Sequence, residues 1–212
     1  FNRNLFFSRY MELQRQETGE VSTAASSRRA LKNRLLSMLG RINDTEIQSL
    51  AFQQFSSSKC MTDSSQAIMA LNFYASPERE KALLAFYDRW KTDKLVINQW
   101  LTFHSMANIP GTLEQVRKIT ADPAYSKVNP NNVRSLVGGF GGYCYTEFHT
   151  QAGYAFLADQ ILEMDKENPQ VAARLAGVFN IVSRIDQGRR KLIIEELKRI
   201  LDHKGLSENV FE

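Results

Sequence analysis

The 212 residues are enough for one or two domains with a substantial buried core. A hydrophobic share of 43% and a charged share of 24% are ordinary for a globular chain, and no apolar run approaches the roughly 18 residues of a membrane span. Lys and Arg total 27 against 23 Asp and Glu, a net charge of +4 with the signs interspersed, so nothing in the balance demands nucleic acid.

The chain opens FNRNLFFSRY, without an initiator Met and without the charged, apolar and small-residue order of a signal peptide; it reads as the start of a segment within something longer. Leu5, Phe6, Tyr10 and Leu13 recur at helical spacing through about Gln16. Thr18 to Ser27 is small and polar, a loop or linker, which suggests a leading helix and linker over 1–27 and a helical domain over 28–212. Ser27 is placed to cap a helix carrying Ala30, Leu31, Leu35, Met38 and Leu39 on one face, with Gly40 as its stop. A helix from about Thr45 to Phe55 follows, then one capped by Thr62 or Asp63 with Ala67, Ile68 and Leu71 inward.

Ser76-Pro77-Glu78 starts the next helix, and Asp93 caps another from Leu95 to Met106; Trp90 and Trp100 fall in apolar stripes and read as core. Pro110-Gly111-Thr112 breaks the chain before a short helix through Ile119. Asn129-Pro130 repeats a cap-then-proline start, and Gly138 to Gly142 (GGFGG) reads as the end of that helix, a turn needing positive φ or close packing. The last long helices run from Gly153 to Met164, from Pro169 to Val182 and from Gln187 to His203, the last with Glu195 and Arg199 paired outside. Strand signals are absent. The fold class is all-α: an α-solenoid-like array of about ten antiparallel helices joined by short capped turns.

One stretch stands out chemically. In NPQVAAR (168–174), Asn168 caps, Pro169 suits the first turn, and Gln170 and Arg174 lie four apart on one face. An amide beside a guanidinium near a helix N-terminus suits a carboxylate or peptide group; a solvated surface pair is the alternative on spacing alone. Elsewhere the signals for catalysis are missing. His104, His149 and His203 are isolated, so no HExxH zinc motif exists, and each is expected half-buried or at the surface. GGFGG does not continue into GxGxxG, since position 144 is Cys144, and no GxSxG or GKS/GKT occurs. Glu163 and Asp165 read as solvated charge. Cys60 and Cys144 are too few for a zinc ribbon or disulfide framework; free thiols in a reducing compartment, hence the cytoplasm, are favoured, with a single disulfide left open.

Five stretches taken together resemble one family: RRALKN (28–33), MTDSSQAIMAL (61–71), FYDRWKTDKLVINQW (86–100), NPNNVRSLVGGFGG (129–142) and GYAFLADQILEMDKENPQVAARL (153–175). In this order they resemble the C-terminal helical domain of zinc-dependent aminopeptidase N of the bacterial type, from about Arg28 to the end. The resemblance implies a full-length metallopeptidase whose zinc ligands and catalytic Glu lie in a catalytic domain that this chain does not match. It therefore assigns no catalytic residue, metal or cofactor to the chain itself. It implies instead a domain that closes over the zinc site, with Gln170 and Arg174 facing the carboxyl-terminal side of bound peptides. Arg134, the arginine of NPNxxR, is implied near the channel, with helix C-terminal carbonyls as its alternative partners. The expected partners are the catalytic domain of the same polypeptide and peptide substrates, with neither nucleic acid nor membrane. The rival reading is a free-standing helical-repeat module that binds protein or nucleic acid.

Overall fold

Side-chain caps set most helix starts in the computed structural model, which describes residues 2–212. Phe1, placed in the leading helix by the sequence, lies outside the described residues. Asn2 accepts the Leu5 N–H ahead of α1 (Arg3–Arg15), Asp44 caps α3 (Thr45–Ser57), and Ser76 accepts the Arg79 N–H at the start of α5 (Pro77–Trp90). Every element among the described residues is helical, as the missing strand signals implied. The chain divides into two compact units, the first ending at Trp90 and the second spanning Lys91–Glu212.

In the first unit, α2 (Thr23–Leu39) packs on α1 and on α4 (Met61–Leu71), while α3 packs on α4 and α5. Two expected starts move. Ser22, not Ser27, caps α2 by accepting the Ala25 N–H, because TAASS is a good helix opening and Gly19, at φ +80°, already makes the break. Helix α4 starts after Cys60 with no side-chain cap, because the Asp63 carboxylate is committed inward. It accepts Lys32 Nζ at 2.7 Å and Asn33 Nδ2 at 2.8 Å. Gln54 links Asn33 Oδ1 to the Asp63 carbonyl and accepts the Tyr10 hydroxyl at 2.8 Å. This network rotates α2 from its expected phase: Lys32, Asn33 and Leu36 are buried, and Leu31 faces solvent. Burial pushes the Tyr10 phenol pKa up, with the Asp63 charge adding to it.

In the second unit, Asp93 caps α6 (Lys94–Ser105) through the Leu95 and Val96 N–H groups. Gly111, at φ +86°, precedes α7 (Thr112–Thr120). One continuous rod then runs through α8 (Pro130–Val133), a π-helical turn (Arg134–Gly138) and α9 (Gly139–Tyr143). It packs on α6. The glycines of GGFGG therefore do not end a helix: Gly138 and Gly139 are helical at φ −63° and −62°. Close approach is what requires them. A Cβ on Gly139 would stand 2.3 Å from Ser105 Oγ, and one on Gly141 would stand 2.9 Å from Val178 Cγ1.

Helix α10 (Gln151–Glu167) leads into α11 (Pro169–Ala176), which continues as a 3-10 helix (Gly177–Arg184) and then α12 (Gln187–Leu201). Arg199 pairs with Asp159 and Glu196 rather than Glu195, since α10 brings Asp159 within 2.7 Å. Asp165 is buried, not solvated: it accepts the Ser207 N–H and hydroxyl and so ties down the short terminal helix α13 (Glu208–Phe211), which the sequence pattern did not reveal. His104 is buried with its ring 4.5 Å from the Trp100 ring. Both cysteines are free thiols. No described helix is long and apolar enough to cross a membrane.

Candidate functional site

The second unit holds a groove of about 450 Å³ between α6, the π-containing rod and α11. The rod contributes Pro130, Asn131, Arg134, Ser135, Gly138 and Gly139, pairs that recur every four residues. At 3.6 residues per turn, a four-residue repeat drifts about 40° around an α-helix at each step. The wider π turn absorbs that drift and keeps the three pairs on one face. Such turns often mark functional sites. Ser105 Oγ donates to the Ser135 carbonyl of the turn at 2.8 Å, and this is the hydroxyl that leaves no room for a side chain at Gly139. The GG pair thus lets α6 support the distorted turn directly.

Arg174 enters the groove from α11. Asn168 accepts the Val171 N–H and Pro169 occupies the first turn, so the cap expected from NPQVAAR is present. Arg134 enters from the opposite rod, its guanidinium donating to Asn131 Oδ1 on its own helix rather than to a helix-terminal carbonyl. Two guanidinium-bearing side chains therefore line one groove, and among the described residues no Asp or Glu lines it. Arg174 makes no ion pair among the described residues. Gln170 is exposed on the first turn of α11 and is not part of the lining.

Apart from Thr102, whose hydroxyl donates to the Asn98 carbonyl of its own helix, the remaining wall is mostly apolar: Met106, Val171, Leu175, Val178 and Tyr143. Sequence reasoning missed Tyr143, the last residue of α9, and gave no role to the loop that follows it through His149. That loop is anchored throughout. Asn108 donates to the Tyr143 carbonyl and accepts the Tyr145 N–H at 2.7 Å, and Cys144 Sγ donates to the Ala107 carbonyl. The Glu147 carboxylate accepts the Gly111 and Leu113 N–H groups at 2.7 and 2.6 Å, an internal anion at the start of α7. At the loop's end, His149 Nδ1 lies 3.0 Å from the Tyr154 hydroxyl; burial, then the nearby Arg189 charge, holds the imidazole pKa below its ordinary 6.5.

The residues present do not fit a zinc site. Among the described residues no group of three or more His, Cys, Asp or Glu is placed to hold a metal ion; His149 is engaged with Tyr154, and His104 packs on Trp100. No chemical step through a metal follows from this chain.

Residues 2–212 match the protein family described as "Domain of unknown function (DUF3458_C) ARM repeats". The chain belongs to this family. The DUF3458_C chain is 35% identical over 201 residues to aminopeptidase N of Caulobacter vibrioides, covering 93% of the chain and 23% of that relative. It is 29% identical over 189 residues to aminopeptidase N of Escherichia coli, covering 88% of the chain and 22% of the relative. Its fold is similar, at a TM-score of 0.84 and 27% identity, to the crystal structure of Legionella pneumophila aminopeptidase A in complex with aspartic acid, covering 97% of the chain and 25% of that one. The DUF3458_C chain thus spans about a quarter of the length of these relatives, and the similarity to aminopeptidase N expected from the five motifs is met.

Proposed function

We propose that this DUF3458_C domain is the non-catalytic lid and channel domain of a zinc-dependent aminopeptidase, closing over a catalytic domain of the same polypeptide and contacting the carboxyl-terminal side of bound peptide. The observation that carries the reading is the groove shared by Arg134 and Arg174 without an acidic wall. A peptide threaded amino end first towards a metal trails its carboxylate, and a paired-guanidinium groove is the chemistry that receives it. Gln170, exposed one turn earlier on α11, is assigned to a peptide group outside the groove. The zinc and the groups that activate water belong to the catalytic domain. A cytoplasmic setting fits the two free thiols.

Magnitudes limit what such a contact does. Both arginines are exposed, so in the open domain a carboxylate gains about 1 kcal/mol or less from either one. Closure over the peptide lowers the local dielectric and raises the gain towards about 1.5–3 kcal/mol. This orients substrate and favours free-carboxylate peptides; it breaks no bond.

Turnover is the test. The 212-residue chain alone should leave short peptides intact. In the polypeptide that joins it to a catalytic domain, Arg174→Ala should raise KM for a tripeptide more than for its carboxyl-terminal amide. Peptide hydrolysis by the isolated chain, or equal changes on both substrates, would contradict the reading.

A further inference from the structure

Beside the two arginines, the groove carries an apolar wall that a carboxylate contact leaves unused. Tyr143 ends α9 with its side chain 53% exposed, on the lining together with Met106, Val171, Leu175 and Val178. A tyrosine this exposed ordinarily moves among rotamers on a mobile backbone. Here the backbone is held on both sides: Asn108 bridges the Tyr143 carbonyl and the Tyr145 N–H, and Cys144 between them is fully buried with its thiol on the Ala107 carbonyl. An aromatic ring on a fixed backbone offers a large contact area at low ordering cost.

We infer that Tyr143 is a specificity-determining residue of this groove, selecting peptides whose carboxyl-terminal side chain is aromatic or large and aliphatic. The inference rests on the carboxylate reading, since Arg134 and Arg174 fix the terminal carboxylate and so direct the adjoining side chain to the apolar wall. The volume, about 450 Å³, suits a terminal residue rather than a folded chain. A terminal glycine would leave Tyr143 and the aliphatic wall wet. A terminal phenylalanine would cover them and add a ring–ring contact, together worth on the order of tenfold in affinity.

The experiment titrates the 212-residue chain with N-acetylphenylalanine, N-acetylglycine and N-acetylphenylalaninamide, read by calorimetry or by amide chemical shifts. N-acetylphenylalanine should bind about tenfold more tightly than N-acetylglycine. Tyr143→Ala should bring that ratio to within about twofold while the preference for acid over amide persists, and Tyr143→Phe should keep the ratio, because the ring and not the hydroxyl is the contact. The side chain lies outside the core, so unchanged unfolding midpoints should accompany both variants. A phenylalanine-to-glycine ratio near one, or a ratio unmoved by Tyr143→Ala, overturns the inference while leaving the carboxylate reading standing if acid still exceeds amide. Equal binding of acid and amide, or binding of no probe, overturns both.

Discussion

Lys32 in the first unit and Arg174 in the second are both cations on helices, yet their surroundings are opposite. Lys32 is 1% exposed and its charge meets Asp63 at 2.7 Å, within a network in which Asn33, Gln54 and Tyr10 also have partners. Arg174 is exposed, has no acidic partner among the described residues, and shares its groove with a second guanidinium. A buried charge survives only when its neighbours are arranged around it, so it specifies how helices pack. An unpaired charge in a concave, partly apolar setting contributes little to folding and remains available to a ligand. The same residue class therefore serves structure in the first unit and, on the proposed reading, recognition in the second.

The sharpest way to break the contrast is Asp63→Ala, which strands the Lys32 charge and the Asn33 amide. It should cost about 3–5 kcal/mol in urea-induced unfolding. A cost below about 1 kcal/mol would mean the network is open to water. Replacing both ions, Lys32→Met with Asp63→Leu, should recover most of that loss, because an apolar pair of similar volume avoids the desolvation of two charges.

Smaller effects should come from the glycines behind the groove. Gly139→Ala pushes a methyl group into Ser105 Oγ and should destabilise by about 1–3 kcal/mol, whereas Gly142→Ala, with open space at its Cβ, should be neutral or stabilising by up to about 1 kcal/mol. Thermal unfolding of the two variants side by side separates close approach from glycine flexibility; equal losses would contradict the packing account.

The smallest effect concerns His149. Burial, and then Arg189, depress its pKa below 6.5, against an opposing pull from Asp186. The unfolded chain therefore binds this proton more readily than the folded one. The stability His149 contributes is present above about pH 6.5 and is lost as pH falls towards the lower folded pKa. Unfolding midpoints should decline from pH 7 to 5, and His149→Gln should flatten that slope; an unaltered slope would contradict the assignment.

These elements differ in how far the sequence reveals them. The helical class, the Asn129-Pro130 and Asn168-Pro169 starts and the Asp93 cap are local devices, and local spacing exposes them. The phase of α2 was misjudged because Lys32 counts as polar in any periodicity, whereas its burial depends on Asp63, 31 positions away. Asp165 went the same way: its partner Ser207 is 42 positions distant. In the groove, Arg134 and Arg174 were legible as motif arginines, but that they line one cavity was not. Glycine spacing resembled a turn because the Ser105 hydroxyl that excludes a Cβ at Gly139 sits on another helix. Tyr143 carries no periodic signal, and the role proposed for it rests on Asn108 holding the backbone around it, a contact 35 positions distant.

The central claim is that Arg174 serves a ligand and not the fold. Its most direct test pairs two readings on the same samples of wild type and Arg174→Ala: affinity for a tripeptide against its carboxyl-terminal amide, and the urea unfolding midpoint. The claim predicts that the preference for the free carboxylate, about five- to tenfold in the wild type, falls to about twofold, the part that Arg134 retains, while stability changes by no more than about 0.5 kcal/mol. An acid-over-amide preference unchanged by the substitution, or one that falls only because the protein has lost stability, would contradict it.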